Sequence, residues 1–147
     1  MINLNGNSSS SRQVTFITHP SIQSKAFASY LSETLMAPVV LQNINKPLAQ
    51  RLAKDSVILF DIAVSNKKLN GVWRDIIRLQ ADNPRLLIIN SAQKYELYEM
   101  AQWPALYGVF RHDDDESRLI EGVKAVLNGE KTAELSVMHP AMYAADH

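Results

Sequence analysis

Ser56-Val57-Ile58-Leu59-Phe60-Asp61-Ile62-Ala63-Val64 is a nearly continuous apolar run with one carboxylate near its C-terminal end. β-branched and aromatic residues suit a strand, and an apolar run with little alternation suits a central parallel strand covered on both faces. An Asp at the carboxyl end of such a strand stands where open α/β sheets place their ligands or their chemistry. The local alternative is that Asp61 ends the strand and caps the turn that follows.

The segments on either side repeat one pattern. Before the run, residues 13–18 (QVTFIT) predict a strand, His19-Pro20-Ser21 breaks it, and Ser21 is placed to cap a helix from Ile22 to Leu35. That helix carries Ile22, Ala26, Phe27, Tyr30, Leu31 and Leu35 at three- and four-residue spacing. Residues 37–44 predict a second strand whose Pro38 marks an edge or a start. Asn45 is expected to cap a short helix over 46–54 with Pro47 in its first turn. After the run come a loop with two lysines and a helix from Leu69 to Gln80, with Val72, Trp73, Ile76, Ile77 and Leu79 as its apolar face. Residues 81–84 are a stop signal. Residues 85–90 (RLLIIN) predict a fourth strand with Ser91 just past its end, and residues 93–102 a helix ended by Trp103-Pro104. Residues 106–111 predict the fifth strand, and His112-Asp113-Asp114-Asp115 an acidic turn capping a helix over 116–127 that stops at Asn128-Gly129. Residues 1–12, with four serines in a row, are expected to be a disordered lead-in. Residues 131–147 are expected to be a tail or the start of a sixth helix.

Five β-α units with short connections predict an α/β flavodoxin-like fold, its parallel sheet ordered 2-1-3-4-5 with helices on both faces. The Asp61 strand is then central and beside the switch point, which makes Asp61 a site candidate.

Composition narrows the function. At 147 residues the chain fits one domain, and its 15 basic and 15 acidic residues cancel. It lacks the positive field that holds nucleic acid non-specifically. There is no cysteine, and no run approaches the roughly 18 apolar residues of a membrane span, so a cytoplasmic location without membrane contact is expected. The glycines are isolated, which excludes phosphate-loop and dinucleotide fingerprints, and no nucleophile elbow occurs. His19, His112, His139 and His147 lack zinc-ligand spacing, and Asp113 to Glu116 read as a solvated cap, so neither a metal site nor an enzyme is expected. Trp73 and Trp103 are of the type that anchors cores or interfaces.

Three stretches carry a resemblance. Val57-Ile58-Leu59-Phe60-Asp61 with Lys67-Lys68-Leu69, Trp103-Pro104 with Gly108-Val109-Phe110, and Val126-Leu127-Asn128-Gly129-Glu130 together resemble response-regulator receiver domains. More narrowly they are similar to the N-terminal domain of CsgD/VpsT-type regulators of the LuxR class, over residues 13–130. The resemblance implies that Asp61 stands at the phosphoryl-acceptor position, with Ser91, His112 and His19 at the other positions of the receiver pocket. His19-Pro20-Ser21 replaces the acidic pair that would hold Mg²⁺, and His112 falls at or near the position of the lysine that would neutralise a phosphoryl group. Weak or absent Mg²⁺ binding and little or no phosphorylation at Asp61 are expected. The cyclic di-GMP mode of the VpsT type needs a Trp and an Arg. Thr132-Ala133-Glu134-Leu135 stands there instead, so binding in that mode is not expected.

The resemblance further implies a regulatory and dimerisation domain of a biofilm- or matrix-related transcription regulator, with DNA bound only through a C-terminal helix-turn-helix absent from this chain. Receivers often dimerise on the face that holds Tyr95, Tyr98 and Trp103, which is the preferred homodimer patch, with the first helix and the tail as alternatives. A phosphorylatable receiver using Asp61 and a stand-alone protein–protein adaptor are the rival readings.

Overall fold

A computed structural model describes residues 13–80, 83–92 and 102–130. Its elements are β1 (Val14–Thr18), α1 (Ile22–Leu35), β2 (Val39–Asn43), β3 (Val57–Asp61), a one-turn 3₁₀ helix (Ile62–Val64), α2 (Lys67–Leu79), β4 (Arg85–Ser91), β5 (Leu106–Arg111) and α3 (Glu116–Leu127). The five strands form one sheet in the order β2-β1-β3-β4-β5, and every neighbouring pair is parallel. This is the flavodoxin-like order that the alternation of strand and helix patterns predicts.

All five residues of β3 are buried because both faces of the sheet are covered. Val57 and Leu59 point into a core with Phe16, Leu31, Phe110 and Val123, under α1 and α3. Ile58 and Phe60 point the other way, against Trp73, Ile77 and Ile88, under α2. The Trp73 indole N–H donates to the Ile44 carbonyl at 2.9 Å, so the large ring is buried without an orphaned donor.

Local chemistry sets the helix ends. The Ser21 hydroxyl accepts from the Ser24 amide, and the Ser24 hydroxyl accepts from the Ser21 amide, a reciprocal capping box. Asn66 caps α2 by accepting from the Leu69 amide at 2.8 Å, so Lys67 and Lys68 form its first turn instead of a loop. Asp115 is the N-cap residue of α3, but its carboxylate makes no capping bond. Asp114 organises this turn, accepting from the Arg111 amide at 2.8 Å and facing Arg118 at 3.6 Å.

The helix expected over 46–54 does not form. The buried Gln42 amide donates to the carbonyls of Asn43, Lys46 and Pro47, and its oxygen accepts from the Ala49 amide. One side chain takes backbone groups that a helix would have paired. The apolar faces of α1 and α2 also differ from expectation. On α1 the buried positions are Ser24, Ala28 and Leu31, and Ile22 is 88% exposed. On α2 they are Trp73 and Ile77, and Val72 and Leu79 are 45% and 79% exposed. Spacing alone left the orientation of each helix open by about one residue, roughly 100°.

Trp103 is not a surface ring. It is 5% exposed, packs on Phe60 with ring centroids 4.8 Å apart, and carries the Arg74 guanidinium 5.4 Å above it. Tyr95 and Tyr98, the helix expected over 93–102 (all but Gln102), the lead-in over 1–12 and the tail over 131–147 lie outside the described residues.

Two contacts lock α3. Arg85, at the foot of β4, donates to the carbonyls of Val126 and Leu127 at 3.0 and 3.3 Å, placing a cation at the negative end of the helix. Gly122 lies against Phe110, where a Cβ would stand 2.3 Å from the ring's Cζ. Gly122→Ala is therefore expected to cost about 1–3 kcal/mol in urea unfolding, despite the better helix propensity of Ala, and Phe110→Leu in the same chain should recover part of the loss. Trp103→Ala should destabilise the fold by about 3–5 kcal/mol in the same measurement, as truncation of a core aromatic does.

Candidate functional site

The carboxyl ends of β1, β3 and β4 meet at Asp61. In the parallel register β1 runs beside β3, with Ile17 opposite Phe60, which brings Thr18 next to Asp61 at the strand ends. The Thr18 hydroxyl donates to Asp61 Oδ2 at 2.7 Å, with both residues buried. Oδ1 accepts twice, from the Asn90 side-chain amide at 3.0 Å and from the Ala63 backbone at 3.2 Å. The last bond makes Asp61 the cap of the 3₁₀ turn, so the local role and the central-strand position coexist in one residue. A carboxylate that is 7% exposed needs donors to offset the loss of water, and three neutral donors supply them here.

Thr18 and Asn90 complete the candidate site, and sequence reasoning passed over both. Thr18 closes an apolar strand, and only the strand order shows that it abuts Asp61. Asn90 reaches Asp61 from a left-handed backbone conformation (φ 63°), a region that Asn tolerates better than most residues. A polar side chain at the end of the RLLIIN run was the available signal.

The other predicted pocket residues are placed differently. Ser91 follows Asn90 and is 1% exposed, and its carbonyl accepts from the His112 amide at 3.0 Å, which fixes the start of the acidic turn. His112 is exposed and lines a cavity of about 210 Å³ with Asn90, Phe27, Phe110, Glu116 and Leu119, between α1, the ends of β4 and β5, and the first turn of α3. His19 is exposed, and its carbonyl accepts from the Ser24 hydroxyl at 3.0 Å, so its backbone serves the start of α1.

This donor set does not fit Mg²⁺. A hard cation needs several anionic or carbonyl oxygens, and the Asp61 carboxylate is turned inward onto a hydroxyl and two amides. Among the described residues no three His, Asp or Glu side chains stand together to hold a metal ion. The arrangement can do one thing well, which is to tie three strand ends together through a single carboxylate.

Asp61→Asn should change stability little, because its oxygen can keep the Ala63 and Asn90 donors while its amide donates to the Thr18 oxygen, a hydroxyl that can reverse its role. Asp61→Ala takes this acceptor from the buried Thr18 hydroxyl and the half-buried Asn90 amide and is expected to cost about 1–3 kcal/mol in denaturant titrations of the two variants.

Comparison with known proteins agrees with the geometry. A family model for VpsT-like receiver domains matches residues 16–133. The transcriptional regulatory protein of the csgBAC operon from Escherichia coli K12 is 30% identical over 132 residues, covering 86% of this chain and 61% of the relative. The probable csgAB operon regulator of Salmonella typhimurium LT2 is 28% identical over 141 residues, covering 92% and 65%. The chain thus spans less than two thirds of the length of either regulator. Among solved structures, the regulatory domain of the master biofilm regulator CsgD matches with a TM-score of 0.79 and 27% identity, covering 92% of this chain and all of that one. The response regulator ChrA of a heme-sensing two-component system shares the fold, with a TM-score of 0.60 and 19% identity over 94% of this chain and 67% of that one. No helix among the described residues is long and apolar enough to cross a membrane. With the family model covering most of the chain, and with the strand order that of the fold shared with the solved CsgD regulatory domain, this chain belongs to the family of VpsT-like receiver domains.

Proposed function

We propose that the chain is the regulatory and dimerising part of a CsgD-type transcription regulator, and that it works without phosphoryl chemistry. The observation that carries this reading is the hydrogen-bonded state of Asp61, whose two oxygens are taken up by Thr18, Asn90 and the Ala63 amide. A phosphoryl acceptor must present an oxygen to an incoming phosphorus atom and share a Mg²⁺ ion with neighbouring carboxylates. Here the neighbours are a threonine and an asparagine.

The rest of the reading follows from the relatives. They are transcriptional regulators longer than this chain, so DNA recognition is assigned to a helix-turn-helix beyond the stretch they share with it. The biofilm role of the solved relative suggests control of matrix genes in the cytoplasm. The domain acts as a module that shifts its dimer population when a ligand or partner favours one state, and it catalyses no reaction. Cyclic di-GMP is not its input through residues 132–135, where Glu134 would repel a phosphate.

The position of Asp61 at the end of β3, with Ser91 at the end of β4, keeps one rival specific, a phosphorylatable receiver. Incubation with acetyl phosphate and Mg²⁺ followed by intact-mass measurement separates the two. The expected outcome is an unmodified chain. A phosphoryl adduct on the wild type that is absent from Asp61→Asn would overturn the proposal.

A further inference from the structure

α2 carries a stripe that the core does not use. At about 100° per residue, positions 68, 72, 75 and 79 fall within about 60° of one another, away from the buried Trp73 and Ile77. Lys68 and Asp75 are exposed there, beside the exposed Val72 and Leu79, and Val64 in the turn before the helix is 42% exposed.

The order of these residues is self-complementary. Lys68 and Asp75 lie equally far from a point midway between Gly71 and Val72, and so do Val64 and Leu79. An antiparallel copy of α2, packed about a two-fold axis through that point, sets Lys68 opposite the partner's Asp75 twice. It also sets Val64 towards the partner's Leu79 twice, as an isologous interface requires. Space at the axis is available, because nothing lies within 4 Å of where a Cβ on Gly71 would stand. A glycine there lets two helices approach at the short end of the usual 8–10 Å spacing. Arg78, ion-paired to Asp75 at 2.9 Å in the same helix, holds that carboxylate on the outer surface.

We propose that α2 is the homodimer interface of this domain, formed by antiparallel packing of the Lys68–Leu79 stripe on its copy across a two-fold axis at Gly71 and Val72. The assignment rests on the dimerising reading above and adds the face, the register and the charge pair. A single helix pair buries less than the roughly 1,200–2,000 Å² of a standard interface, so the dimer is weak. A weak dimer is also one that a modest input can shift.

Sedimentation equilibrium on the full chain from micromolar to millimolar concentration tests this. The wild type should show a reversible dimer. Lys68→Glu and Asp75→Lys each put like charges opposite one another twice, and each should weaken the dimer by about tenfold. The double variant Lys68→Glu/Asp75→Lys restores opposite charges and should return most of the affinity. The chain has no cysteine, so Val72→Cys supplies an independent reading. It should cross-link to its own copy on mild oxidation, whereas Ser29→Cys on the exposed side of α1 should not. A wild-type dimer indifferent to both reversals, a double variant as weak as the singles, or cross-linking at position 29 without cross-linking at position 72 would overturn this face while leaving the dimerising reading in place. A wild type that stays monomeric throughout would overturn both.

Discussion

A carboxylate buried at the end of the central strand must find donors, and that constraint shapes the upper edge of this sheet. Asp61 takes a hydroxyl from β1, a side-chain amide from β4 and a backbone amide from its own turn. The buried Thr18 hydroxyl and the half-buried Asn90 amide are both satisfied by the same carboxylate. The left-handed backbone at Asn90 fits this picture, since a residue in an uncommon conformation persists where its surroundings fix it. In a phosphorylatable receiver the corresponding carboxylate faces a metal ion and an incoming phosphoryl group. Here both of its oxygens accept hydrogen bonds from neighbouring side chains and its own turn.

The lower edge of the sheet is held by a different charge. Arg85 reaches the last carbonyls of α3, and its other guanidinium nitrogen lies 3.6 Å from Asp55, which also accepts from Asn83. The helix is therefore fixed at its C-terminus by an ionic clamp and along its length by the close seating of Gly122 on Phe110. α1 and α2 have fewer such constraints on their outer sides, and there the exposed apolar residues collect.

The fold, the strand order and the family all follow the receiver pattern, while among the described residues the side chains that reach Asp61 are a threonine and an asparagine. A receiver without phosphoryl chemistry can still regulate by binding, because a ligand or partner shifts any equilibrium in which it prefers one state. Under the function proposed above, the surface of the domain carries more of the output than the pocket does.

The sequence by itself determined the five strands, the parallel order and the central place of Asp61, because continuous apolar runs and helical spacing follow from burial on two faces and one. It also located the caps at Ser21 and the starts of α1 and α3. It could not show that residues 46–54 avoid a helix, since that outcome depends on where the Gln42 amide points after the sheet has formed. Nor could it show that Trp103 is interior, that Val72 and Leu79 are exterior, or that Thr18 and Asn90 complete the site. Those facts require knowing which strands are neighbours and how each helix is rotated against the sheet. Such contacts join residues 29 to 43 positions apart at the site itself, and only the packed chain brings them together.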